Sequence, residues 1–147
     1  MDYNLRQIMG LTIWWTEGTK AYKDKRWKNV WVSNVDVTNT NPEIIKIFLA
    51  FLRQDLQINE KRLKLQLQIH EGDDIEEFEK YWSELTNIPK DRFNKTIVRP
   101  KGNKTGKSKG TCKIRYSDKA TYDKLIQMLN KLLDGYLDAI AQNSIKN

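Results

Sequence analysis

Arg62-Leu63-Lys64-Leu65-Gln66-Leu67-Gln68-Ile69-His70 alternates apolar and polar residues without a break. Successive side chains of a β-strand point to opposite faces, so this stretch has one Leu/Ile face and one Arg/Lys/Gln/His face. The first face needs a core to cover it. The second meets solvent or a ligand, as in a sheet covered on one side only. The segments on either side are expected to supply the cover, which predicts an α+β domain spanning residues 1–147.

Upstream, Asn41-Pro42-Glu43 is a helix start: Asn caps, Pro at the first helical position loses no needed hydrogen bond, and Glu suits the positive end of the helix. Ile44, Ile45, Phe48, Leu49, Phe51, Leu52 and Leu56 then form an apolar stripe at helical spacing. A first helix is expected from Leu5 to Thr16, with Ile8, Met9, Leu11 and Ile13 as its apolar contacts and Gly18 where helices commonly stop. Trp27 to Asn34 reads as a strand, with Thr19 to Tyr22 as its hairpin partner. Downstream, Asp73 or Asp74 caps a helix carrying Ile75, Phe78, Trp82 and Leu85, stopped by Asn87 and Pro89. Arg92–Arg99 and Thr111–Tyr116 are expected to pair as a hairpin joined by PKGNKTGKSKG. Asp118 opens a long helix to about Ala141, with a stripe running from Tyr122 through Leu125, Ile126, Leu129, Leu132, Leu133, Tyr136 and Leu137 to Ile140.

Charge adds a direction. The chain carries a net charge of +7 over 147 residues, and its bases are clustered. Lys90 to Lys119 holds eleven Lys/Arg against Asp91 and Asp118, and Lys20 to Lys28 holds five against Asp24, whereas Glu71 to Glu79 holds six carboxylates and no base. A field polarised in this way favours a polyanionic partner. Cys112 is the only cysteine, which excludes an internal disulfide and a Cys-rich zinc site. No apolar run reaches the roughly 18 residues of a spanning helix, and MDYNLRQ lacks the pattern of a secretory signal, so a cytoplasmic protein without a membrane partner is expected.

Few residues suggest reaction chemistry. Gly102 to Ser108, GNKTGKS, has three residues between its glycines where a phosphate-binding loop needs four, and a strand follows it rather than a helix. As a basic loop, its Lys101, Lys104, Lys107 and Lys109 can reach phosphates and gain from counterion release. His70 is the single histidine, at a strand end before a capping turn, and reads as structural. Trp82 belongs to the core, while Trp27 and Trp31 share one strand face and are better core than base-stacking groups. Glu17 is unusual: it ends the first helix, where the backbone dipole is negative, and Trp14, Trp15 and Thr16 bring no base to it. A divalent cation would reverse that penalty.

Gly10 to Gly18, GLTIWWTEG, resembles the signature helix of the LAGLIDADG homing endonucleases. WWTEGTK, VSNVD, IIKIFLAFLRQDL, YWSELTNIP and GTCKIRY resemble bacterial proteins of that fold and extend the likeness over most of the chain. The resemblance implies a LAGLIDADG-like fold, with a curved antiparallel sheet packed against helices. It also implies a homodimer whose two signature helices lie side by side, and a nearly palindromic duplex DNA site. By the same likeness Glu17 is the catalytic acid and binds Mg²⁺ with the backbone carbonyl of Thr16, with no small-molecule cofactor. The chain departs from the pattern at Thr12 and Thr16, where the family has small residues at the helix contact, and at Trp15, where it has an acid. The helix from Asp74 to Thr86 also departs from the plainest element order of the family.

The residues point to the sheet independently. Lys64, Gln66 and Gln68 share one strand face, as do Lys113 and Arg115, and these are side chains suited to base edges. With them, Lys20, Lys23, Lys25, Arg26, Lys28 and Arg99 make up the expected nucleic-acid surface. Two functions follow: a Mg²⁺-dependent, site-specific DNA endonuclease, or a DNA-binding regulator that does not cut. RNA binding through the same sheet is a third.

Overall fold

The computed structural model describes residues 2–23, 31–102 and 108–145. Helix α1 (Leu5–Glu17) starts on a capping box: the Asn4 side chain accepts from the Gln7 amide, and the Gln7 side chain accepts from the Asn4 amide. A small hairpin follows, β1 (Tyr22–Lys23) with β2 (Trp31–Val32), so Tyr22 does join a hairpin. The strand of the main sheet, however, is β3 (Asn34–Asn39), which starts where the expected strand was to end. Residues 27–30 lie outside the described ones. Then come α2 (Pro42–Asp55), β4 (Leu63–His70), α3 (Ile75–Thr86), β5 (Ile97–Arg99), β6 (Thr111–Ser117) and α4 (Lys119–Ile145).

Two helix boundaries follow directly from their caps. Asn41 accepts from the Glu43 amide and Asp74 from the Glu77 amide. Asn87 ends α3 in the left-handed conformation at φ 57°, which asparagine tolerates better than most residues.

The main sheet has the order β3-β6-β4-β5. Strand β6 pairs antiparallel with both β3 and β4, and β5 pairs parallel with β4. Two expectations are corrected here. The sheet is mixed rather than antiparallel, and β5 and β6 do not form a hairpin. The stronger strand, β6, sits at the centre because its apolar residues meet apolar partners on both sides: Ile114 and Tyr116 face Val37 and Val35 on β3, and Cys112, Ile114 and Tyr116 face Leu67, Leu65 and Leu63 on β4. All eight of these side chains are buried, whereas the short β5 is exposed throughout and fits only an edge.

One cluster of buried residues forms the core, joining the apolar sheet face to Leu11 and Trp14 of α1, Phe48, Phe51 and Leu52 of α2, Trp82 of α3 and Leu125 of α4. At Gly10 α1 packs tightly on α2: a Cβ there would lie 2.2 Å from Phe51 Cγ. The stripe of α4 is buried only over its first half. Tyr122, Leu125 and Leu129 enter the core, but Tyr136, Leu137 and Ile140 are 64%, 59% and 44% exposed. The reason is length, since 27 residues of helix reach about 40 Å, beyond the domain that covers its start. Among the described residues no helix is long and apolar enough to cross a membrane.

Candidate nucleic-acid interface

The helices cover one face of the sheet and leave the polar alternates on the other. Cross-strand register lines these up in rows. Asp36, Arg115 and Lys64 form one; Thr38, Lys113 and Gln66 the next; Thr111, Gln68 and Ile97 the third, with Arg99 opposite His70 beyond it. The two sequence-adjacent sets that looked separate, Lys64/Gln66/Gln68 and Lys113/Arg115, are thus neighbours on hydrogen-bonded strands. Strands about 4.8 Å apart bring such side chains within reach of one ligand. Most of the row is half-buried, and Arg99 is exposed.

Hydrogen bonds orient part of it. Gln66 donates from Nε2 to the Lys95 carbonyl at 2.9 Å, and Arg99 donates from Nε to Gln68 Oε1 at 3.2 Å. Gln66 therefore keeps its carbonyl oxygen for a partner, and Gln68 its amide donors. Lys101 is exposed just past β5.

Asp36 lies at the β3 end of the face and was not singled out from the sequence. It is 2% exposed, with Arg115 Nε 3.3 Å and Lys113 Nζ 3.8 Å from its Oδ2. Its Oδ1 is buried and has no hydrogen-bond partner. An acid between two valines in a polar segment carries no local sign of this; only the pairing of β3 with β6 puts it under two bases. Burial pushes the Asp36 carboxyl above the ordinary range, while Arg115 and Lys113 pull it back down. A carboxyl raised in the folded state contributes stability below its unfolded value, and that contribution is lost as pH rises through the folded value. Ionised Asp36 is therefore a net cost at neutral pH. Asp36→Asn should be more stable than wild type in urea at pH 7, and the gap should close as the pH falls below the ordinary carboxylate value of about 3.9. An Asn variant that is weaker at pH 7 would show instead that the two bases outweigh burial.

The end of α1 is seated beside this acid. Gly18 donates to the Trp14 carbonyl at 2.8 Å and bridges Val37 of β3, and the Thr19 amide donates to the Asp36 carbonyl at 3.2 Å. Glu17 is exposed there, without an ion pair among the described residues. The Thr16 hydroxyl donates back to the carbonyls of Thr12 and Ile13. Gly18 has an ordinary extended backbone, so glycine is required by space rather than by torsion: a Cβ would lie 2.5 Å from the Trp14 carbonyl oxygen.

Several other expected contacts sit elsewhere. The ammonium of Lys20 turns back onto the end of α1. Lys109 pairs with Glu77 of α3 at 2.8 Å, which holds its ammonium above the ordinary range, and it lies over the Phe78 ring. Lys25, Arg26, Lys28, Lys104 and Lys107 lie outside the described residues, as does the side chain of Lys23. His70 is exposed and its amide donates to Asp73, in keeping with a capping turn. Cys112 is buried, and burial raises its thiol far above the ordinary range, so it packs rather than reacts. A cleft of about 480 Å³ lined by Thr40, Asn41, Glu43, Tyr81, Trp82 and Lys109 shares no residue with the rows. No family model, curated protein or solved structure matches the chain.

Proposed function

We propose that the chain binds duplex DNA through the open face of its sheet and does so as a homodimer. One observation carries this reading: Lys64, Gln66, Gln68, Lys113 and Arg115 lie side by side in register on the face opposite the helices. Lysine and arginine neutralise phosphates or read guanine, glutamine reads adenine, and a strand face of this kind fits a major groove. Against these stands one acid, Asp36, buried and already matched by two of the bases.

The dimer draws its support from the outer face of α1. Leu5, Ile8, Met9 and Trp15 are 71%, 38%, 39% and 50% exposed, and with Thr12 and Thr16 they make one helical stripe. Both threonines suit a close helix contact, because Thr12 donates to the Ile8 carbonyl at 2.7 Å and Thr16 to the Thr12 carbonyl at 2.9 Å. Each can then present its methyl group to a second copy without burying an unpaired donor. Wild type should sediment at twice the 17.4 kDa chain mass, and Ile8→Glu at one chain mass with its fold kept. A monomeric wild type at micromolar concentration would end the dimer reading.

Cleavage is the second reading, and the exposed carboxylate of Glu17 beside the β3 edge, without an ion pair among the described residues, is what favours it. Selecting bound sequences from random duplexes and then adding Mg²⁺ separates the two. Cutting that Glu17→Gln abolishes would make the chain an endonuclease. Tight, salt-sensitive binding without nicks would leave a binding protein. Failure to retain any duplex would overturn both.

A further inference from the structure

A divalent ion at Glu17 needs further oxygen ligands, and the nearest sources by sequence are the last carbonyls of α1. Two of them, those of Trp14 and Trp15, are occupied, and so is the Gly18 carbonyl just past the helix. Lys20 donates from Nζ to the carbonyl oxygens of Trp14 at 3.0 Å, Trp15 at 3.1 Å and Gly18 at 2.8 Å. An ammonium has three donors, and here each has an acceptor. The Trp14 oxygen also accepts from the Gly18 amide, so both its lone pairs are used. Lys20 stands 4.2 Å from the centre of the Trp14 ring, a cation–π distance. The last turn of α1 has no basic residue of its own, so its negative end is neutralised from outside the helix. Glu17 is then one carboxylate beside the Thr16 carbonyl, with the carbonyls of Trp14, Trp15 and Gly18 spent, and among the described residues no group of three His, Cys, Asp or Glu gathers anywhere. Within one chain this donor set does not fit a divalent ion.

We propose that Lys20 is the resident cation of the α1 terminus: its ammonium takes three carbonyl oxygens around Glu17 and already brings a positive charge there, and so closes this helix end to metal. The partly desolvated ammonium is in keeping with that placement, since burial lowers its affinity for a proton. The role holds whether or not the sheet binds DNA, because it concerns only the chain's own helix end. If it holds, duplex binding by the sheet needs no added metal, and Lys20 is a positioning residue rather than a phosphate contact.

The probe is Mn²⁺ alone, titrated into the full chain while the free ion is followed by electron paramagnetic resonance. Wild type should show no stoichiometric site tighter than about 1 mM, the weak end of carboxylate sites. Lys20→Met should open a site at least tenfold tighter, and adding Glu17→Gln to it should remove that site. Lys20→Gln serves in its place if the methionine variant does not fold. One Mn²⁺ per wild-type chain at tens of micromolar, lost in Glu17→Gln, would overturn the inference. So would a folded Lys20 variant that binds no better than wild type.

Discussion

A chain carrying Lys64→Glu and Arg99→Glu is expected to bind duplex DNA about a hundredfold more weakly than wild type at low salt, since losing one good contact costs about 1–3 kcal/mol. Lys64 is the cleaner of the two, with no ion pair among the described residues; there Arg99 is held by Gln68. Neither contributes a buried side chain to the core, so the fold should survive the change. The slope of binding against salt should also flatten by about two phosphate contacts. A control has to separate position from net charge. Lys109→Glu with Lys119→Glu reverses as many charges, yet both of these bases are spent on local acids, Glu77 and Asp123. It should change affinity far less. Equal losses in the two double variants would mean that any positive surface suffices, and the sheet would no longer be the reader. Arg115 is a poor choice for this test, because removing it leaves the buried Asp36 with Lys113 alone. Its loss would register as instability before it registered as weak binding.

Gly10→Ala should be the most damaging single methyl group in the molecule. The added carbon would sit 2.2 Å from Cγ, 2.4 Å from Cβ and 2.5 Å from Cδ2 of Phe51, a ring that is fully buried. Phe51 is enclosed by the core on the other side, so either its rotamer is forced or α1 and α2 separate. Overpacking of this kind costs about 3 kcal/mol, the upper end of its usual range. In a chain of this length that lowers the melting temperature by roughly 6–12 °C. The same substitution at Gly135 should have the opposite sign. A Cβ there meets nothing within 4 Å, and α4 is helical on both sides of it. Alanine in place of an exposed helical glycine adds about 0.5–1 kcal/mol. Urea unfolding of both variants decides the matter, and a Gly10→Ala midpoint equal to that of wild type would show that α1 and α2 are less tightly joined than drawn. Dimerisation through the outer face of α1 would be untouched by Gly135→Ala, which keeps stability and assembly separable.

What sequence alone determined is local and periodic. The alternation of Leu63 to Ile69 named both faces of β4 correctly, because a strand's period of two leaves no choice once one face is apolar. The cap at Asn41, the cap at Asp73 or Asp74 (the fold uses Asp74) and the stop at Asn87 were legible for a similar reason: each lies within a few residues of the backbone groups it concerns. Lys64, Gln66 and Gln68 on one strand and Lys113 and Arg115 on another were visible as two half-surfaces.

Their union was not visible, and neither was the burial of Asp36, the parallel edge position of β5, or the retreat of Lys20 onto α1. Strand order depends on which apolar faces gain most by meeting, a comparison among all strands at once, and it set β6 between β3 and β4. A basic side chain near a basic cluster looks like a ligand contact until the fold places carbonyls, or a carboxylate, closer to it than any partner could come. Tertiary structure decided those cases for Lys20 and Lys109 because charged groups settle on the nearest complementary atoms, and distance along the chain does not tell which atoms those are.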